Sequence, residues 1–381
     1  MKIILAPDSF KDSLSAPRVC EAMANGIRRV ISNADIVQLP LADGGEGTVQ
    51  ALVVATGGSF KNVEVTGPLG ESVNAQYGFL GDGETAVIEM AAASGLEMLP
   101  KAKRNPLHTS TVGTGQMIRD ALERGMRRIF IGIGGSATTD GGCGMAQALG
   151  VRFFNVSNQQ IMEPMTGDRM GIVRRIDLSG LHPAVCKSEF RVLCDVANPL
   201  LGPDGSARVY GPQKGASPAD VEILEQNMTS VFDVIESEIG HDVRHIPGAG
   251  AAGGLGAGLM AFLNAKLESG IELILDAIHF YEKSKNADLI LTGEGRVDHQ
   301  TAFGKTIAGV AGAGKALNIP VIVLAGSIGS NIENLYDTGV TSVFAICDES
   351  ITLEESMNRA AELVANETER VIRFHWIKGE G

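Results

Sequence analysis

Residues 2–30 read KIILAPDSFKDSLSAPRVCEAMANGIRRV, and their pattern decides the fold class. The run 2–6 is short and apolar, as a buried strand is, and it stops at Pro7 and Asp8. Ser15 then stands where a helix cap belongs, with Pro17 tolerated in the first turn. Val19, Met23, Ile27 and Val30 recur at helical spacing and mark one buried stripe. The opening unit is therefore strand, polar loop, helix.

The same unit repeats outward from there. Residues 36–39 form an apolar run, ADGGEG at 42–47 a loop, and 48–56 a helix ended by Gly57 and Gly58. From residue 61 the texture changes: 63–65, 75–80 and 86–88 read as antiparallel hairpins. A helix at 115–124 and a strand at 128–133 follow, running into GGSATTDGGCG at 134–144 and a helix over 145–149. Residues 155–179 are polar and irregular, and 162–175 read as surface loop. A strand at 191–194 ends in Asp195, a helix covers 218–239, and a Gly-rich loop at 248–258 leads to a helix through 267. The last hundred residues return to regular alternation, with strands at 288–291, 321–324 and 343–346. The first of these ends in TGEGRVD at 292–298, and helices are expected at 305–317, 332–337 and from 353 toward 374.

Alternating βα units with all-apolar strands imply an α/β protein whose parallel sheet is covered on both faces. The two chain ends resemble each other and the middle differs. This predicts one doubly wound domain built from residues 1–62 and 285–381, with a second α/β domain, 63–284, inserted. The active site is expected in the cleft between them.

Composition narrows the function classes. The chain has 381 residues, enough for two domains, and 44% of them are hydrophobic, so a large core can be buried. A net charge of −13 argues against nucleic acid or an anionic membrane as partner. It leaves room for a small anion, because a few cations and helix-start amides make a local positive site. The cysteines Cys20, Cys143, Cys186, Cys194 and Cys347 are scattered without metal-ligand spacing, which fits reduced thiols in a cytoplasmic protein. The apolar start is too short for a signal-peptide core, and the uncharged run 246–263 holds six glycines, so neither is a membrane segment.

Polar residues recur just after strand ends: Asp8, Asp43, Ser136, Asp140, Asp195 and Glu294. In open α/β sheets ligands bind outside the carboxyl ends of strands. Helix capping is the competing explanation for any one of them. Two loops, DGGEG at 43–47 and DGGCG at 140–144, place consecutive glycines before a helix, where amides approach an anion closely. Lys11, Lys214, Arg296 and Lys305 stand in or beside such loops and could neutralise phosphate or carboxylate.

Two familiar patterns do not hold. GVAGAGKA at 309–316 lacks the final Ser or Thr of a P-loop and lies at a helix end before a strand. GAGAAG at 248–253 matches the dinucleotide fingerprint, but the preceding 241–247 makes a poor strand. It supports a rival reading, a nicotinamide-dependent dehydrogenase of a small hydroxy acid. A non-enzymatic sensor of such an acid is a second rival.

Several long motifs together resemble the bacterial glycerate kinase family. They are APDSFKDSLSA (6–16), ADGGEGT (42–48), VTGPLGE (65–71), IEMAAASGL (88–96) and IGIGGSATTDGGCGMAQALG (131–150). CDVANPLLG (194–202), GPQKGA (211–216), PGAGAAGGLGAG (247–258) and TGEGRVDHQT (292–301) continue the match in order. The resemblance implies a Rossmann-like domain interrupted by a second α/β domain. It also implies transfer of the γ-phosphoryl of ATP, with Mg2+, to D-glycerate, with 2-phosphoglycerate favoured. Residues 162–175 depart from the family's usual Gly-rich stretch.

Residue roles are then expected from chemistry. Asp195 is the candidate base, and Lys11 and Asp8 are further catalytic candidates. Asp43, Glu46 and Asp140 offer hard oxygen ligands to Mg2+. Gly134, Gly135 and Ser136 would cradle phosphate, with Lys214 and Arg296 supplying positive charge. Glu294 and Asp298 would line the nucleotide side. Closure of the cleft around substrate is expected to exclude water. Oligomeric state stays open.

Overall fold

Apolar runs become strands along the whole chain, and the computed structural model describes residues 1–42, 44–298, 301, 306–347 and 351–377. The candidates Asp43 and Lys305 lie outside the described residues. In chain order the strands are β1 (Lys2–Leu5), β2 (Asp35–Gln38), β3 (Ser59–Thr66), β4 (Ser72–Phe79), β5 (Thr85–Glu89) and β6 (Arg128–Gly132). Then come β7 (Arg152–Phe154), β8 (Arg175–Asp177), β9 (Glu189–Leu193) and β10 (Lys266–Glu268). The last are β11 (Leu289–Val297), β12 (Val321–Ile328) and β13 (Val340–Ala345).

The chain divides into two units. Unit 1 comprises Met1–Asp43, Gln50–Gly57 and Ser269–Gly381. Its sheet runs β13-β12-β11-β1-β2, with every pair parallel. Counted within the sheet this is the 2-1-3-4-5 order, whose winding reverses between β1 and β11. Alternate residues of β12 face opposite ways. Ile322 and Leu324 join the cluster holding Val19, Met23 and Ile27, and Val323 and Ala325 join that of Ile307 and Ala311. Both faces are thus covered, which is why these strands read as unbroken apolar runs. Val19, Met23 and Ile27 are fully buried and Val30 only partly. Ser15 occupies the cap position of helix Ala16–Arg28 without a side-chain capping bond. Residues 269–284, which the sequence reading put in the insert, pack in unit 1, with Ile271 seated against Gly309.

Unit 2 comprises Gly44–Val49 and Gly58–Glu268. Its main sheet runs β10-β9-β6-β5-β4-β3, parallel from β10 to β5 and antiparallel from β5 to β3. The hairpins foreseen after residue 61 supply the antiparallel part. One large core fills this unit.

Three local readings need correction. Residues 162–175 are not surface loop: Met165, Met170 and Val173 are fully buried in the unit 2 core, and 175–177 pair as β8 with β7. The buried residues are few and irregularly spaced in an otherwise polar stretch, so no strand or helix period marks them. The helix after the Gly-rich loop ends at Leu263, because Asn264 turns left-handed and β10 begins at Lys266. TGEGRV is not a loop but the second half of β11, hydrogen-bonded along β12 as far as Val297. GVAGAGKA lies inside helix Thr306–Leu317, as the rejection of a P-loop requires. No helix among the described residues is long and apolar enough to cross a membrane. Cys20 and Cys143 are buried, and desolvation pushes both thiols up, away from the reactive thiolate.

Candidate active site

In unit 1 the polar residues gather at the carboxyl ends of β1 and β11, the strands that flank the winding reversal. The Asp8 amide donates to Gly293 O at 2.9 Å, which ties the loop after β1 to β11. Asp8 accepts from the Ser9 amide at 2.6 Å and from the Thr306 hydroxyl at 2.7 Å. Phe10 and Lys11 lie over Gly295, where a Cβ would stand 3.4 Å from the Lys11 nitrogen. Because 292–297 is strand, Glu294 and Arg296 share one face of it. Glu294 accepts from the Thr301 hydroxyl at 2.8 Å, and Arg296 pairs with Asp298 at 3.2 Å while staying exposed. Lys11 is exposed. Asp8, Lys11, Glu294, Arg296 and Asp298 therefore form one group on unit 1.

In unit 2 the strand register builds a second edge. Glu89, Gly132 and Leu193 are level across β5, β6 and β9, so the segments that follow each leave the sheet side by side. After β6 come Gly134 and Gly135, both exposed, and after β9 comes Asp195, also exposed. The 44–49 loop lies directly on this edge: a Cβ at Gly132 would stand 2.7 Å from Gly44 O. Glycine at 132 is what permits that approach. Glu46 is carried there and is exposed.

Sequence reasoning missed Glu89, although it follows the apolar run of β5 as the other candidates follow theirs. Its carboxylate accepts from the Val49 amide at 2.7 Å and so pins the loop that carries Glu46. Burial pushes its pKa up, the nearby Glu46 adds to that, and the amides of 47–49 pull it down.

Asp140 and Lys214 stand elsewhere than their residue types suggest. Asp140 is fully buried and accepts four hydrogen bonds, from the Thr111 amide (2.8 Å), Thr111 hydroxyl (2.7 Å), Gly142 amide (3.1 Å) and Gly144 amide (3.2 Å). Desolvation pushes its carboxyl up despite those donors. Its oxygens are committed to shaping the 140–144 turn, so it does not fit a direct Mg2+ ligand. Among the described residues no group of three or more His, Cys, Asp or Glu side chains could hold a metal ion.

Lys214 was expected to meet phosphate and instead is 1% exposed. Its ammonium donates to Ser136 Oγ at 2.8 Å and to Thr138 O at 2.6 Å. Burial brings its pKa down to about 7, against an upward pull from Asp140. The dinucleotide pattern at 248–253 follows no strand. Gly253 there has φ +74°, and a Cβ would stand 1.9 Å from Thr138 O, so its glycines serve packing behind the 138–141 turn.

Chemically, unit 2's edge offers the exposed Gly134 and Gly135, the nearly buried hydroxyl of Ser136 and the exposed carboxylate of Asp195, and unit 1's edge offers two exposed cations, Lys11 and Arg296. Residues 3–376 match the family model of the glycerate kinase family. The chain is 46% identical to the glycerate 2-kinase of Escherichia coli (strain K12), covering 97% of each. It is 50% identical to a glycerate kinase of Halalkalibacterium halodurans, covering 95% of each. A crystal structure from Salmonella typhimurium LT2, assigned as a glycerate kinase 2, superposes with TM-score 0.92 at 46% identity over 100% of both chains.

Proposed function

The chain belongs to the glycerate kinase family, and from that premise we propose that it phosphorylates D-glycerate at the 2-hydroxyl. The donor in this reading is ATP, with Mg2+ arriving on the triphosphate as part of the substrate. The observation that carries it is the likeness to the Escherichia coli glycerate 2-kinase along nearly all of both chains. An ATP donor in turn supports a cytoplasmic location.

Phosphoryl transfer asks the protein for positioning, charge neutralisation and a proton acceptor. Asp195 takes the proton from the 2-hydroxyl of glycerate. The bond from that oxygen to the γ-phosphorus forms, the bond to the β-phosphate oxygen breaks, and ADP leaves. Exposure of Asp195 at the end of β9 supports this role. Gly134, Gly135 and the Ser136 hydroxyl cradle anionic oxygens, which the exposed turn after β6 favours. Lys11 and Arg296 supply positive charge. Glu294 and Asp298 act at one remove, through Thr301 and Arg296. Asp8 orders the loop that carries Lys11.

Phosphorus NMR of the product from D-glycerate and ATP tests the assignment: a 2-phosphoglycerate signal is expected. A 3-phosphoglycerate signal, or no new monoester, defeats it. In the same assay Asp195→Asn should lower turnover by roughly 100- to 10,000-fold. Near-normal turnover at saturating substrates removes the proton-acceptor role.

A further inference from the structure

Ser136 sits at the exit of β6 with its backbone held from both sides. The Leu96 amide donates to Gly135 O at 2.8 Å, and the Ala137 amide donates to Ser94 O at 2.9 Å. Its side chain is nearly closed off, at 7% exposure, directly after the exposed Gly134 and Gly135. Beneath it the Lys214 ammonium, with two acceptors at 2.8 and 2.6 Å, is sealed from solvent.

The direction of the Lys214–Ser136 bond follows from valence. An ammonium has no lone pair and can only donate, so Ser136 Oγ must accept. The hydroxyl keeps one proton of its own, and no acceptor for it is seen among the described residues. A buried hydroxyl proton without an acceptor is costly, which favours a ligand oxygen as its partner.

We propose that Lys214 is a positioning residue, which from below the turn holds the Ser136 hydroxyl as an outward donor to an anionic substrate oxygen. The inference rests on the kinase reading for the identity of that oxygen, either the carboxylate of glycerate or a nucleotide phosphate. Lys214 itself never touches substrate.

The polarity reverses when Lys214 loses its proton. A neutral amine has a lone pair and can accept the Ser136 proton, which withdraws it from the ligand. Asp140, in the adjoining 138–144 loop, is the charged group acting on Lys214, and it favours the ammonium. Arg104, whose carbonyl lies against Gly215, turns its Nε to Leu99 O instead. Burial outweighs Asp140 and leaves Lys214 titrating at about 7. Anion binding should therefore be strong below that pH and weaken as pH rises through it.

The test is calorimetry of D-glycerate and, separately, of sulfate as a phosphate mimic, at about pH 6 and about pH 8.5, where neither ligand changes charge. The wild-type protein should bind one of them ~10-fold more weakly at the higher pH, and which one names the oxygen. Ser136→Ala should bind that ligand ~10-fold more weakly at the lower pH and show no further loss at the higher. Lys214→Met should match it, and the double variant should add nothing. The same pH loss surviving in Ser136→Ala overturns the proposal, as does additivity in the double variant. If Lys214→Met does not fold, the Ser136→Ala arms decide alone. Failure of both ligands to bind the wild-type protein also overturns it. Binding with the expected pH loss but no phosphorylated product would instead strike the kinase reading and leave this one standing.

Discussion

Asp140 receives four hydrogen bonds and has no exposed surface. Its value to the protein lies in the donors it satisfies. Asp140→Ala would leave the buried amides of Thr111 and Gly144 without acceptors, at ~1–3 kcal/mol each. A loss of roughly 3 kcal/mol or more is expected in urea unfolding; a loss below about 1 kcal/mol would show the carboxylate to be dispensable to the turn. Lys214 and Asp140 are the two residues whose type suggests a ligand contact and whose burial denies it. Asp195 shows the opposite case, a carboxylate left exposed at the end of β9.

At the scale of elements, polarity of a segment and burial of its individual residues part company. Between β7 and β8 the chain carries Met165, Met170 and Val173 into the core, while Met162 stays 73% exposed. Met170 also lines Gly141, where a Cβ would stand 3.4 Å from its sulfur, so the segment supports the 140–144 turn from behind. Met170→Ala should cost ~2–5 kcal/mol in denaturant unfolding, and Met162→Ala close to nothing. Equal costs at the two positions would contradict the placement of the segment. Helix Pro218–Ile239 shows the reverse case, where local chemistry suffices. Its capping box joins Ser217 and Asp220, Pro218 starts it and Gly240 ends it left-handed.

At the scale of the whole chain, each unit has its own sheet and its own core, and in each the candidate residues stand at carboxyl ends of parallel strands. A chain with net charge −13 binds anions only where amides, a hydroxyl and a few cations are set out locally. Substrate binding should then be linked to stability. D-glycerate at about 100 times its Kd should add about 2.7 kcal/mol to unfolding of the chain, read as a rise in Tm. No rise with D-glycerate and none with ATP would mean that the native chain has no site for either.

Alternation of strand, loop and helix was legible because it is local: four or five apolar residues, a Gly/Asp loop and a 3.6-residue stripe each lie within one short stretch. Helices 48–56 and 218–239 come out to the residue for that reason. The long motifs of the loops were likewise enough to reach the family. The length of β11 was not legible, because Glu294 and Arg296 are strand only through pairing with Ala325 and Ser327. Nor were the sealing of Asp140 and Lys214, the pinning of the 44–49 loop by Glu89 or the burial of Met170. Desolvation and hydrogen-bond partnership are set by neighbours far along the chain, 78 residues away for Lys214 and Ser136, and only the folded protein brings them into contact.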